Sequence, residues 1–313
     1  MVNNSILLTN KRKRYLRSII KNWQLYIFIA PAFLYILIFN YFPIYGVQLA
    51  FKEFSLRAGI TGSPLANPFY KYFQIFLNSY TFQEIIYNTV SLSLYGIIAG
   101  FPLPIILAIL LNELNNKRFM KIVQNVTYAP HFISVVVLVS MVNLFFSYTG
   151  LINQFVRFLG GSPVNFFMNP SYFPHLYIWS GIWANMGYSS IIYFASLSGV
   201  PPELHEAAII DGASRLQRIW NINLPHIRPT IVILLILNTG SIMTIGFEKV
   251  FLMQSAVNLT RSEVISTYVY KLGIIQRSYS LGSAVGLFNN IINLVILLLV
   301  NWIAARISES SLF

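Results

Sequence analysis

Tyr87-Asn-Thr-Val-Ser-Leu-Ser-Leu-Tyr-Gly-Ile-Ile-Ala-Gly-Phe-Pro-Leu-Pro-Ile-Ile-Leu-Ala-Ile-Leu-Leu111 holds no charged residue. Crossing a bilayer as a helix takes roughly 20 mostly apolar residues, and this block is longer than that. Five further long apolar blocks lie at about 23–45, 124–147, 171–197, 227–247 and 283–305, with Arg228 at the start of the fifth block the one charged residue among them. Over its 313 residues the chain is 56% hydrophobic and only 10% charged, against about 25% charged in an ordinary soluble domain. These blocks predict an all-α, polytopic membrane protein with six transmembrane helices. A short basic segment, residues 1–22, would precede a membrane domain spanning 23–307.

The net charge of +12 does not point to nucleic acid, because the basic residues cluster at the ends of the apolar blocks. That is how membrane topology is encoded. Lys11-Arg12-Lys13-Arg14, Arg17 and Lys21 resemble the basic start of a signal peptide, but the apolar stretch Trp23 to Phe42 is too long for one and lacks a cleavage pattern after it. It reads as a retained anchor helix. With both termini on the cytoplasmic side, thirteen Lys and Arg fall on inner segments and eight on the longer outer loops, which favours that orientation. There is no cysteine, hence no disulfide, thiolate metal site or cysteine nucleophile.

Gly96 and Gly100, and Gly282 with Gly286, are small-xxx-small pairs that let helices approach closely. They suit a sliding or dimer seam, or ordinary bundle packing. Pro102 and Pro104 inside the second block are expected to bend it. No Asp, Glu, Lys, Arg or His is placed near the middle of a span. Glu248 and Lys249 fall at the outer end of the fifth.

The most informative inner segment is Pro201-Pro-Glu203-Leu-His205-Glu206-Ala207-Ala208-Ile-Ile-Asp211-Gly212-Ala213, continuing to Pro229. Pro201-Pro202 suits a first helical turn, where a missing donor costs nothing. Glu203 and Glu206 lie near that helix's positive end. Asp211-Gly212 stops it, because glycine accepts the left-handed conformation at the position after the cap. Ser214 can cap a second helix, and Leu224-Pro225 marks where that helix changes direction. A short helix, a glycine turn and a second helix, carrying carboxylates, alanines and arginines, suit docking into a groove on another protein.

Glu206-Ala-Ala, Gly212 and Ile222-x-Leu224-Pro225 at their spacing, with Asp211, Ala213 and Pro229, resemble the EAA loop of binding-protein-dependent ABC importer permeases. The run from Gly187-Tyr188 to Leu197, then Pro201-Pro-Glu-Leu, is similar to sugar permeases of the maltose-transporter type. Thr267-Tyr268-Val-Tyr270 and Tyr279-Ser-Leu-Gly282-Ser-Ala-Val-Gly286 resemble the polysaccharide and oligosaccharide branch. The likeness covers most of residues 20–307, and Trp220 stands where that family often has phenylalanine. The resemblance implies a multi-pass subunit of the bacterial cytoplasmic membrane with a second, similar permease as partner. It also implies two ATPase subunits docked on the EAA loops and a lipid-anchored or periplasmic solute-binding protein outside. ATP and Mg would be bound by the ATPase and no cofactor by this chain, which has no phosphate-binding G-x-x-x-x-G-K-[ST] loop.

Sugars are held by hydrogen bonds to planar polar groups and by stacking on aromatic faces. Pathway candidates are therefore Tyr177, Trp179, Trp183, Asn185 and Tyr188 in the fourth block, Asn238, Thr239 and Ser241 in the fifth, and Asn289, Asn290 and Asn293 in the sixth. Amides at that depth must face the bundle or a wet path. Interfacial belts and interhelical bonds are the plainer uses of the same residue types. His131, His175, His205 and His226 lie apart, with no metal-ligand spacing.

Two other classes are disfavoured. An ion-coupled carrier needs a buried ionisable group on the ion path or an inverted repeat. A membrane enzyme such as a glycosyltransferase or phosphatase needs clustered acids or histidines at the membrane face, and only Glu203, Glu206 and Asp211 cluster. Among permeases, a peptide or a metal is the alternative cargo. The branch resemblance selects sugar.

Overall fold

A computed structural model describes residues 21–307, so the basic cluster Lys11 to Arg17 lies outside the described residues. Within them the regular structure is all helical, with no strand and only an isolated bridge between Lys52 and Leu65. Four helices are long and apolar enough to cross a membrane: Trp23–Phe51, Phe82–Asn112, Arg215–Gly240 and Tyr279–Arg306. A fifth candidate is the bent pair Lys117–Phe132 and Val135–Phe145. Phe173–Leu197 has 25 residues but carries His175, Ser180, Asn185, Ser189 and Ser190, and is not among the four.

The third expected span, 124–147, is therefore not one helix. Its two halves meet at 101°. Pro130 opens a 3-10 turn over Ala129–Phe132, Ile133 is extended, and the Ser134 hydroxyl accepts from the Val137 amide to start a new helix. Two ordinary punctuation marks, a proline and an N-cap serine, break a stretch that holds no Asp, Glu, Lys or Arg. The fifth expected span, 227–247, also differs. Its helix ends at Gly240, and the chain turns before a separate short helix, Phe247–Met253.

Leu224-Pro225, read as the place where the second helix of the inner segment changes direction, lies within a continuing helix. Arg215–Gly240 is one helical stretch with a π turn over Ile219–Asn223. Proline lacks an N–H and crowds the carbonyl four residues before it. For Pro225 that residue is Asn221, inside the π turn, where the wider winding gives room. Trp23–Phe51 repeats the device: Pro43 follows a π turn, Leu37–Tyr41, that contains Phe39.

Phe173–Leu197 is the hub, packed by Phe82–Gly100, Pro102–Asn112, Lys117–Tyr128 and Leu224–Gly240. Gly96 and Gly100 face Ile178 and Ile182 across this contact, where an added Cβ would lie at ordinary van der Waals distance, which is packing within the bundle. Gly187 is tighter still: a Cβ there would run into the backbone carbonyl of Thr127. Segment 241–278 is pinned to the Phe82–Gly100 helix by buried polar groups. The Asn88 amide donates to the carbonyls of Thr260 and Glu263, and Thr89 Oγ1 accepts from the Ile265 amide. Trp23–Phe51, by contrast, has no buried residue in its apolar window. A helix that is apolar all round and uncovered needs lipid or another subunit against it.

Candidate functional site

Two regions carry the chemistry. The first is the helix–turn–helix at 201–229. Pro202–Ile210 forms a helix with no buried residue, led by Pro202 and with Glu203 in its first turn. Gly212 has φ of 78°, and nothing crowds it. The Gly212 amide donates to Ile209 O at 3.0 Å and the Ala213 amide to Ala208 O at 2.8 Å. These two bonds complete a Schellman cap, which requires the left-handed residue at that position. Ser214 then accepts from the Gln217 amide while Gln217 Oε1 accepts from the Ser214 amide, a reciprocal capping box.

Glu206, Ala207 and Asp211 are exposed and Ala208 and Ala213 are half-buried. Leu204, Ile209, Ile210, Leu216 and Trp220 are exposed around them. The segment thus presents acid and apolar side chains on a short helix held in one orientation by caps at its end. Leu224 packs against the core beside Ile227, and Pro225 is exposed. One link to the bundle was not legible in the sequence. The buried Asn223 donates through Nδ2 to Glu113 Oε1 at 3.3 Å, joining this segment to the end of the Pro102–Asn112 helix. An acid beside the end of an apolar block was the available signal.

The second region is a group of cavities around Phe173–Leu197, and it divides the expected pathway residues. Tyr188, Asn238 and Ser241 line a cavity of about 710 Å³. Tyr177 and Asn185 line one of about 320 Å³, which shares Gly96, Gly100, Pro104 and Ser189 with the first. Trp179 and Trp183 line a third, mostly apolar, of about 590 Å³, near Phe146 and His175. Successive residues of a helix point in different directions, so one helix feeds all three.

The sixth-block amides Asn289, Asn290 and Asn293 line none of these three cavities. Asn293 Oδ1 accepts from the Met243 amide at 3.0 Å and its Nδ2 donates to Thr244 Oγ1 at 2.8 Å. It braces the turn after Gly240. Asn289 has a buried Oδ1 with no hydrogen-bond partner.

Three features of this region were missed in the sequence. His131, on the 3-10 turn at the helix break, stacks on Tyr188 at 3.9 Å and 4° and bonds through Nδ1 to Asn185 Oδ1 at 3.0 Å. Tyr95 Oη pairs with His175 Nδ1 and accepts from Trp179 Nε1, each at 2.9 Å. Lys249, expected at the outer end of a span, instead sits on the short Phe247–Met253 helix and sends its ammonium into the bundle. There it donates to the Tyr177 carbonyl at 2.6 Å and lies 4.7 Å from the Tyr177 ring centroid. The fold-back after Gly240 brings it there. No group of three His, Cys, Asp or Glu able to hold a metal occurs among the described residues.

Residues 100–309 match the family described as binding-protein-dependent transport system inner membrane component. The chain is 40% identical to the polygalacturonan/rhamnogalacturonan transport system permease protein YteP of Bacillus subtilis (strain 168), over 97% of this chain and 94% of that protein. It is 36% identical to protein LplB of the same organism, over 98% and 96%. Its structure superposes with a TM-score of 0.87 and 37% identity on a chain of a bacterial alginate ABC transporter solved in complex with an alginate pentasaccharide-bound periplasmic protein, covering 96% of this chain and 100% of that one. Sequence, fold and the extent of both matches agree: the chain belongs to the family of binding-protein-dependent transport system inner membrane components.

Proposed function

We propose that this chain is the permease subunit of an ATP-driven importer and passes an oligosaccharide, delivered by an extracellular solute-binding protein, across the cytoplasmic membrane. The observation that carries the reading is the capped helix–turn–helix at 201–213. It is an exposed, rigidly aimed docking element next to a bundle whose cavities are lined by aromatics, amides and hydroxyls. The proteins it is similar to, one named for polygalacturonan/rhamnogalacturonan transport and one an alginate ABC transporter, support an oligosaccharide as cargo.

On this reading two ATPase subunits bind ATP and Mg and seat the EAA loops of this chain and of a second, similar permease. Glu203, Glu206, Ala207, Ala208, Asp211, Gly212, Ala213, Leu224 and Pro225 form or support that seat. Asn223 and Glu113 carry its movement into the Pro102–Asn112 helix. Tyr177, Asn185, Tyr188, Asn238 and Ser241 line the path, with Trp183 beside it. Asn289 and Asn293 support its wall. Both termini and the 198–228 loop face the cytoplasm.

Affinity purification of this chain from its native membrane tests the reading. A second permease and an ATPase should copurify. A cysteine placed at 205, in a chain that has none of its own, should resist an impermeant thiol reagent in intact cells and react in inverted vesicles. Labelling in intact cells, or a transport-competent complex of this chain alone, would contradict it.

A further inference from the structure

Lys249 is a cation inside a helix bundle without a counter-charge. Ion pairs among the described residues join Lys71 to Glu53 and Lys271 to Glu263, and neither involves Lys249. The neighbouring Glu248 is exposed. Both partners of the ammonium, the Tyr177 carbonyl and the Tyr177 ring, are neutral. An ammonium carries three donors, so the single hydrogen bond leaves two. A lone charge at such a place is costly, and where it is kept it marks a binding site or an ion path.

The surroundings show what it could bind. Nζ opens on the cavity of about 320 Å³, which Asn185 and Ser189 also line. Gly181 makes the room: a Cβ there would lie 3.0 Å from Nζ. The Asn185 amide is held by His131 and by the Gly181 carbonyl, so its position is fixed. The cavity adjoins the larger one with Asn238 and Ser241, and Gly96, Gly100, Pro104 and Ser189 line both. A cation at one end and neutral hydrogen-bonding groups along the rest match a ligand with an anionic group on a polyhydroxyl chain.

We propose that Lys249 is the residue that reads charge in the cargo: its ammonium takes the carboxylate of an acidic sugar unit in the passing oligosaccharide, with Asn185 and Ser189 on the hydroxyls of that unit. This rests on the oligosaccharide reading above and adds the chemical class. A neutral sugar would leave the ammonium unpaired. A carboxylate supplies the counter-charge at the moment of passage and gives specificity by charge pairing.

The test uses the complete importer in proteoliposomes with its own binding protein. One probe is a pool of galacturonate, mannuronate and guluronate tetramers, and the other is the same pool with its carboxyls reduced to alcohols. The native complex should take up the acidic pool. Lys249→Gln should lower that uptake on the order of tenfold or more and leave any uptake of the reduced pool unchanged, whereas Lys249→Arg should retain most of it. Carbodiimide coupling on the native complex gives a second readout, independent of any variant's folding: mass spectrometry should find the uronide joined to Lys249 Nζ by an amide. The proposal is overturned by equal losses on both pools, by no loss, by transport of the reduced pool alone, or by coupling that never reaches Lys249. Equal losses would also be the signature of a carboxylate on the partner permease. If the native complex moves neither pool, this proposal fails, and uptake of other neutral oligosaccharides decides whether the oligosaccharide reading fails with it.

Discussion

Gly212→Val in the assembled importer is expected to abolish most of the substrate-stimulated ATP hydrolysis while leaving sugar capture by the separate binding protein intact. Gly212 has φ of 78°, where an L-residue costs roughly 1–2 kcal/mol and a β-branched one more. The larger consequence is directional. The amides of Gly212 and Ala213 close the cap on Ile209 and Ala208, and a residue that leaves the left-handed region undoes both bonds. It also re-aims the Pro202–Ile210 helix. Gly212→Ala should fall between the two. Glu206→Ala addresses the contact and not the turn. If Glu206 meets a basic group on the ATPase in a shielded pair, its loss costs about 1.5–3 kcal/mol, and much less if that pair is wet. Variants that assemble and hydrolyse ATP like the parent would refute the docking assignment.

A second large effect is expected at Gly187. A Cβ there would overlap the Thr127 carbonyl, which is backbone inside a helix and cannot rotate away. Gly187→Ala should force Phe173–Leu197 off Lys117–Tyr128 at a cost of about 3 kcal/mol. Gly187→Leu should give no assembled complex. The same shift would move Tyr188 away from His131, so transport by any surviving Gly187→Ala complex should fall as well. Gly286, where a Cβ meets nothing within 4 Å in this chain, is the control: Gly286→Ala should not lower this chain's own stability. The midpoint of thermal unfolding in detergent, with gel-filtration yield, measures both. A Gly187→Ala chain as stable as the parent would show that the helices do not meet there.

The parts of this fold legible in the sequence are those governed by composition and local backbone rules. Long uncharged blocks have to be helices in lipid because every backbone donor needs an internal partner. Pro202, Gly212 and Ser214 act within a few residues of themselves, so the start of the inner helix, its cap and the next capping box could be read directly. What composition hides is direction. Residues 124–147 hold no Asp, Glu, Lys or Arg, yet Pro130 and Ser134 turn the chain by 101°. The chain after Gly240 is apolar enough to extend a span, but it folds back and carries Lys249 into the bundle.

The pathway candidates show the same limit. Tyr177, Trp183 and Tyr188 share a helix but not a cavity. A membrane helix with several helical neighbours has no polar face to betray its orientation. His131 and Asn185 are 54 residues apart and meet only because the helix break places the histidine over the Phe173–Leu197 helix.

The most direct measurement is uptake of labelled oligosaccharide into proteoliposomes containing this chain with the second permease and the ATPase proposed for it, and the binding protein added outside. Uptake that needs ATP, the binding protein and this chain together is the predicted result. Uptake driven by an ion gradient without the ATPase, or unchanged when this chain is omitted, would contradict it.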